Sequence, residues 1–471
     1  MFLLVVLQSA WGLPRGGIRK ALREHQAVTV TDGLYFSQRL SHFDRTNDER
    51  FEQRYFANST FFNGSGPVFL CVGGEGPALD ATVLTSSVHC NDMVELAPRA
   101  GALMLALEHR FYGSSIPRAS FKYLSTEEAI GDIATFHAMI TSAYGLTAAS
   151  KWVSWGGSYP GMVAGFARLK LPHLIHAAVS SSAPWRAKVD MVEYNDLVGR
   201  ALTLKSVGGS DECLETVVAG HAAIKSVLDA GNATAIAALA DLFNFCDPTA
   251  LELRSVQKEW AGYGVIDVPA QDNDPAAAGP AGNIQQICGV LAGNSVADPV
   301  TALANVSRLQ NQGACVDYSY DALKGPDAFT DALSWPYQTC SEYGFYQTCE
   351  LDSNCPFAKG YVTLEDELGF CETLFNMSAA NIAGNVNFTN QLFGGDTPAT
   401  LRTYFANGNC DPWSGLGVLK SPDGNVSEIV LSVEGASHHA WTHPADTIVQ
   451  ASVAAAKAYI QDQVLRWLAE D

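Results

Sequence analysis

The sequence predicts an α/β fold, a buried parallel sheet alternating with helices and interrupted once by a long helical insertion. Two observations carry this. Four short, continuous apolar runs, at 67–72, 103–107, 152–155 and 177–179, each end in glycine or small residues, which is the pattern of strands covered on both faces. Helix-like stretches at 127–142 and 161–169 lie among them. Strand–helix alternation of this kind builds a parallel sheet whose ligands gather at the carboxyl ends of the strands.

Taken in order, the first run breaks into Gly73-Gly74-Glu75-Gly76-Pro77 and the second ends in Glu108-His109-Arg110-Phe111-Tyr112-Gly113. The third ends in Gly156-Gly157-Ser158, and the fourth in Ser180-Ser181-Ser182-Ala183-Pro184. From 187 to 395 the pattern changes to short alanine- and leucine-rich helical segments such as 234–242, with eight of the eleven cysteines and a loop-like stretch at 272–280. This reads as a mainly helical, disulfide-containing cap. Strand patterns resume at 403–406 and 429–433, and a helix over 446–468 closes the chain. The expected organisation is a signal segment at 1–12, an α/β part at 28–186, the helical cap at 187–395 and a second α/β part at 396–471.

Composition excludes several classes of function. Of 471 residues, 47% are hydrophobic and 17% charged, which is core-forming material rather than a disordered, solvated chain. Lys and Arg number 29 against 49 Asp and Glu, a net charge of -20. Nucleic acid and anionic lipid both reward clustered cations, so neither is an expected partner. No run of about 18 apolar residues occurs, so no membrane-spanning helix is expected.

Three features point to export. The stretch from Met1 to Gly12 is apolar and ends in small residues, as a secretory signal does. Glycosylation sequons begin at Asn58, Asn63, Asn232, Asn305, Asn376, Asn387 and Asn425. The cysteines lack metal-site spacing: Cys349 and Cys355, the closest pair, have no histidine nearby. Disulfides formed in an oxidising compartment are therefore expected. Eleven is odd, and Cys71, inside an apolar strand-like run, is the expected unpaired thiol.

Ser158 sits where an apolar strand meets a glycine-rich turn and a helix begins, the context of a nucleophile elbow. A G-x-S-x-G match is imperfect, because Pro160 occupies the place of the second glycine and Gly161 follows it. Asp411 follows the 403–406 strand and His438 the 429–433 strand. The order serine, acid, histidine, with acid and base at successive strand ends, is that of an α/β-hydrolase. Such a triad performs acyl transfer: His438 takes the Ser158 proton while Asp411 holds the imidazole. The oxyanion would lie against backbone N–H groups of Tyr159 and of the 73–76 loop, at Gly74 or Glu75. His439 is an equally placed base by sequence alone. His109 reads as a hydrogen-bonded structural histidine, and His443 and Asp446 as the loop and N-cap of the final helix. Trp413 and Trp441 flank acid and base, as core residues or as pocket walls.

Several motifs together are similar to one family. Gly-Gly-Ser-Tyr-Pro-Gly at 156–161, Gly-Gly-Glu-Gly-Pro at 73–77, Glu-His-Arg-Phe-Tyr-Gly at 108–113, Asn-Gly-Asn-Cys-Asp-Pro-Trp at 407–413 and the His438-His439 pair resemble the S28 family of serine peptidases. Residues 38–43 and 51–55 resemble the start of its mature enzymes, and 335–349 looks most like its thymus-specific branch. The resemblance implies an α/β-hydrolase domain with a helical cap between nucleophile and acid, cleavage of short peptides after proline, and residence in acidic vesicles or outside the cell. It places Ser158, Asp411 and His438 in the triad, preferring the first histidine of the pair, and puts Met162 and Trp413 at the pocket for the proline ring. Two departures lie near the site: Pro77 stands where exopeptidase relatives carry aspartate, and Ala440-Trp441 where Leu-Asp is common. No cofactor or metal is expected for a triad enzyme, and peptides are the expected partners. An esterase or lipase of the same fold, or a silent binding protein, are the competing readings; the complete triad and the resemblance favour the peptidase.

Overall fold

The computed structural model describes residues 32–293, 298–318, 333–420 and 428–470. The apolar stretch at 1–12 and the sequon at Asn425 lie outside them. Ten strands occur among the described residues: β1 (Leu34–Arg39), β2 (Arg50–Asn58), β3 (Val68–Val72), β4 (Leu103–Leu107), β5 (Trp152–Gly157), β6 (Ala177–Ser181), β7 (Lys188–Asp190), β8 (Gly344–Tyr346), β9 (Thr403–Gly408) and β10 (Glu428–Val433). The longer helices are α1 (Asn91–Ala100), α2 (Thr126–Tyr144), α3 (Tyr159–Lys170), α4 (Val192–Ala201), α5 (Asp211–Ala230), α6 (Ala233–Leu242), α7 (Ile284–Gly293), α8 (Pro299–Gln310), α9 (Leu364–Phe375), α10 (Ala379–Phe393) and α11 (Ala451–Ala469).

Eight strands form one sheet in the order β1-β2-β4-β3-β5-β6-β9-β10. The six from β4 to β10 run parallel, but β2 pairs antiparallel with both β1 and β4. The sheet is therefore mixed rather than wholly parallel. The edge differs because β2 alternates exposed Arg50 and Glu52 with buried Phe51 and Gln53, which suits a half-solvated antiparallel strand. In β3 the side chains split by period two. Val68, Leu70 and Val72 pack with Ile130, Phe136 and Ile140 of α2 and Val163 of α3. Phe69 and Cys71 face the other way, toward Leu96 of α1 and Ile460 of α11. Helices thus cover both faces, as the continuous apolar runs require.

The order in which strands are added reverses about β3: β4 lies on one side of it and β5 on the other, all three parallel. A crevice opens at such a switch point, outside the carboxyl ends of the strands. The final helix begins at Ala451 with Gln450 as its N-cap, so Asp446 belongs to a separate turn, Ala445–Thr447, and not to the cap expected for it. No helix among the described residues is long and apolar enough to cross a membrane.

Between β6 and β9 stands the cap, built from α4 to α10 and the small parallel pair β7–β8. It has its own core, with Val217, Ile224, Trp260, Ile287 and Leu303 fully or almost fully buried. Four disulfides staple it: Cys213–Cys288, Cys246–Cys315, Cys340–Cys371 and Cys349–Cys355. The fifth joins Cys71 of β3 to Cys90, the residue that precedes α1. Cys71 is therefore not the unpaired thiol; Cys410 is, and it is buried. Burial in an apolar strand suits a bridged cysteine as well as a free one, and only the tertiary placement of Cys90 over β3 distinguishes them. Among the sequons, Asn63, Asn232, Asn376 and Asn387 are exposed and Asn305 is half-buried. The Asn58 amide is buried and donates to the Leu84 carbonyl at 2.9 Å.

Candidate active site

Ser158 joins β5 to α3 with φ 62° and ψ -136°. A non-glycine residue there costs on the order of 1–3 kcal/mol, and the tight turn that imposes it lifts the side chain above the sheet. Glycines make the turn possible. A Cβ on Gly156 would stand 2.3 Å from the Pro160 carbonyl oxygen, and one on Gly161 2.9 Å from the carbonyl oxygens of Gly156 and Ser181. Gly161 thus meets the close-packing requirement one position later than the usual motif places it. The Ser158 N–H donates to the Ser181 carbonyl at 2.9 Å, fixing the elbow to β6.

The loops after β9 and β10 bring Asp411 and His438 together. Asp411 is fully buried; one oxygen accepts the Trp413 N–H at 2.9 Å and the other lies 2.8 Å from His438 Nδ1. The His438 N–H donates to the Gln271 carbonyl at 2.8 Å, and its ring Nε2 is buried without a hydrogen-bond partner. His439 is placed differently. Its N–H donates to Ser182 Oγ and its Nδ1 lies 3.1 Å from Thr442 Oγ1. Burial and the neighbouring histidines hold its pKa well below the usual imidazole value. Contact with Asp411 therefore distinguishes the two histidines where sequence does not.

Ser158 and the two histidines border a cavity of about 300 Å³, together with Gly74, Glu75 and Gln271. Gly74 touches the elbow: a Cβ on it would lie 2.3 Å from the Pro160 ring. Glu108 anchors the chain after this loop, one oxygen accepting the Leu79 N–H at 3.1 Å and the other the Ser115 hydroxyl at 2.7 Å. The Tyr159 N–H opens α3 and has no acceptor within the helix. One Glu75 carboxylate oxygen is buried without a partner, and burial raises that carboxyl to about 7, against the opposing pull of His438.

Side chains from the cap and from the loop after β4 hold Tyr159 in place. Its hydroxyl lies 2.8 Å from His109 Nε2 and accepts from Gln338 Nε2 at 2.8 Å. Gln338 also donates to Glu342 at 3.0 Å, and Glu342 accepts the Thr126 N–H at 2.8 Å. His109 is structural, as expected, its Nδ1 lying 2.7 Å from the Arg110 carbonyl oxygen and its pKa lowered to about 4 by burial. The stretch 335–349 is notable in the sequence, but its part in fixing Tyr159 shows only in three dimensions.

The aromatic residues divide. Trp413 is half-buried, donates to Gln271 Oε1 at 2.9 Å, and has ring centroids 5.4 Å from both Tyr194 and Phe345. Met162 is fully buried in the cluster on which Trp413 packs, with Tyr343 and Phe345. Trp441 is no pocket wall: it is fully buried with Trp155 and Val179, and its indole N–H donates to Ser181 Oγ at 2.9 Å. A large flat ring close to His438 in sequence has turned into the sheet's packing.

The family profile described as Serine carboxypeptidase S28 matches residues 38–460. Thymus-specific serine protease of Mus musculus is 34% identical over 99% of this chain and 97% of that protein. Lysosomal Pro-X carboxypeptidase of Bos taurus is 24% identical over 96% of this chain and 91% of that protein. Among solved structures, proline iminopeptidase of Mycobacterium smegmatis covers 92% of this chain and 99% of its own, at 12% identity and a TM-score of 0.36. Strand order and the elbow, not that overlay, identify the α/β-hydrolase fold. With a profile spanning most of its length and a relative so similar end to end, the chain belongs to the S28 family of serine peptidases.

Proposed function

We propose that the chain hydrolyses peptides after proline through an acyl-enzyme, with Ser158 as nucleophile, His438 as base and Asp411 as the acid that orients it. The observation that carries this is the 2.8 Å His438–Asp411 contact beside a His438 Nε2 left without a partner, in a cavity that Ser158 shares. Asp411 fixes the proton on Nδ1, which leaves Nε2 as the acceptor. As Ser158 Oγ bonds to the substrate carbonyl carbon, its proton passes to Nε2. The oxyanion is met by the Tyr159 N–H and an N–H at Gly74 or Glu75. The C–N bond then breaks, His438 returns the proton to the leaving amine, and an ester to Ser158 remains. Water attacks that ester, giving a proton to His438; the C–Oγ bond breaks, Ser158 recovers its proton, and the acid product leaves.

Proline is favoured by flat and polarisable surfaces near the base: Trp413 and Phe345, with Met162 in the packing beneath. The relatives named for Pro-X cleavage and lysosomal residence support the same reading. The chain passes through the secretory pathway to a lysosomal or extracellular destination, carrying glycans at exposed sequons such as Asn63 and Asn387. Labelling with a fluorophosphonate tests the nucleophile: wild type is expected to become covalently modified at Ser158, and Ser158→Ala not at all. Modification at another serine would overturn the assignment.

A further inference from the structure

Gln271, from the cap, lines the cavity that Ser158 and His438 border. Its backbone carbonyl accepts the His438 N–H at 2.8 Å. Its amide oxygen accepts from Trp413 Nε1 at 2.9 Å and from the Tyr194 hydroxyl at 2.8 Å. Trp413 in turn lies beside the base, with the indole and imidazole centroids 6.4 Å apart. One end of Gln271 is therefore fixed to the base and the other to the wall proposed for the proline ring.

These contacts decide which branch of the amide is which. An indole N–H can only donate, so the atom that meets Trp413 is the oxygen, and the NH2 group stands on the other branch. That group donates to nothing among the described residues and, unlike the orphaned His438 Nε2, stays open to solvent. Gln271 as a whole is half-buried. A donor held in one orientation with its hydrogens unclaimed is how a concave site reads an acceptor on its ligand.

The surroundings identify that acceptor. Among the described residues no lysine or arginine lines the catalytic cavity, so a terminal carboxylate would find no permanent cation there. A neutral carbonyl suits a neutral amide. Proline has no N–H to offer, and a prolyl peptide carries two carbonyls next to the ring. The scissile one is taken by the N–H groups of Tyr159 and the 73–76 loop, which leaves the carbonyl that acylates the proline nitrogen.

We infer that Gln271 is a specificity-determining residue: its Nε2 donates to the carbonyl oxygen of the residue before proline. The enzyme therefore requires an X–Pro bond and rejects an amino-terminal proline. This rests on the peptidase reading of the site.

The test uses one peptide with a single internal proline in two forms, with oxygen or with sulfur in the carbonyl before that proline; the thiocarbonyl is the weaker acceptor. Cleavage is followed by chromatography. Wild type should cleave the oxygen form about three- to tenfold more efficiently, in kcat/KM, the value of one neutral hydrogen bond. Gln271→Glu keeps an oxygen for Trp413 and Tyr194 and removes the donor; Gln271→Met removes the donor without adding a charge. In both, the oxygen-to-sulfur ratio should drop close to one, while fluorophosphonate still labels Ser158. A residue that only held His438 in place would slow both forms alike and leave the ratio unchanged, which overturns the inference. A wild-type ratio near one overturns it too, as does cleavage after an amino-terminal proline as efficient as after the internal one. These last two results need no variant and decide the matter even if a variant fails to fold. Calorimetric binding of both forms to Ser158→Ala separates the inference from the reading beneath it. Tighter binding of the oxygen form without cleavage by wild type would keep the contact and refute the peptidase, and cleavage without discrimination would do the reverse.

Discussion

Asp92 offers a direct test of how burial couples this fold to pH. It lies in the first turn of α1, 1% exposed, and neither of its carboxylate oxygens has a hydrogen-bond partner. The favourable charge nearby, Lys457, is already committed to Glu95 at 2.5 Å and to the His443 carbonyl at 2.6 Å. Burial raises the Asp92 carboxyl from 3.8 to about 7. Between those values the folded chain keeps a proton that the unfolded chain has released, so stability falls as pH rises through that window. The gap corresponds to about 4 kcal/mol at most, at 1.36 kcal/mol for each factor of ten. Relaxation around a buried charge reduces this, and about 2–3 kcal/mol is the working expectation. Asp92→Asn removes the titration at little change in shape. At pH 8 the variant should melt about 2–3 °C above wild type for a chain of this size; at pH 4 the two should melt within about a degree of each other. Scanning fluorimetry at matched heating rates across pH 4–8 measures both. A variant that melts lower than wild type at pH 8, or a difference that does not change with pH, would refute the reasoning.

Other expectations follow from the same geometry. Asp411→Asn leaves the fold intact but removes the acceptor that sets the His438 tautomer, so kcat should fall about 10⁴-fold in a peptide assay. Gly74→Ala forces a methyl group to 2.3 Å from the Pro160 ring; displacement of that loop should cost up to about 10²-fold in kcat, with KM nearly unchanged. Gln338→Ala leaves Glu342 and the Tyr159 hydroxyl short of a partner and should destabilise the fold by about 1–3 kcal/mol, read as a lowered melting temperature. Cys410 is buried, and burial raises its thiol to about 12; thiol reagents should miss it in the native protein, and unreduced, unfolded protein should show one thiol, mapped to that position.

Much of the chemistry is legible in the chain itself because strand ends and turns are local. Continuous apolar runs mark β3, β4 and β5, and Ser158, Asp411 and His438 follow the ends of β5, β9 and β10. What stays hidden depends on contacts between distant segments. The first two strands carry mixed polar and apolar residues, Gln38 and Gln53 among them, whose burial is explained by hydrogen bonds to each other at 3.0 Å and to Asp132 and the Glu108 carbonyl, far away in the chain. Disulfide partners depend on closeness in space, so Cys71 could not be matched to Cys90 from an apolar strand alone. Trp441 and Trp413 look alike beside His438 and Asp411 in the sequence, yet one donates to Ser181 within the core and the other to Gln271 at the cavity. The cap's grip on Tyr159 through Gln338 spans 179 positions, and no local pattern reports it.

On the proposed mechanism, Ser158 drives peptide cleavage after proline. Mass spectrometry of a mixed peptide library, incubated at about pH 5 with wild type and with Ser158→Ala, tests it most directly, at an acidity where histidine and the most exposed carboxyls still differ in charge. New products ending in proline, absent with the variant, are expected. Serine-dependent cleavage at other residues would contradict the proline assignment, and a library left intact by wild type would contradict the peptidase mechanism itself.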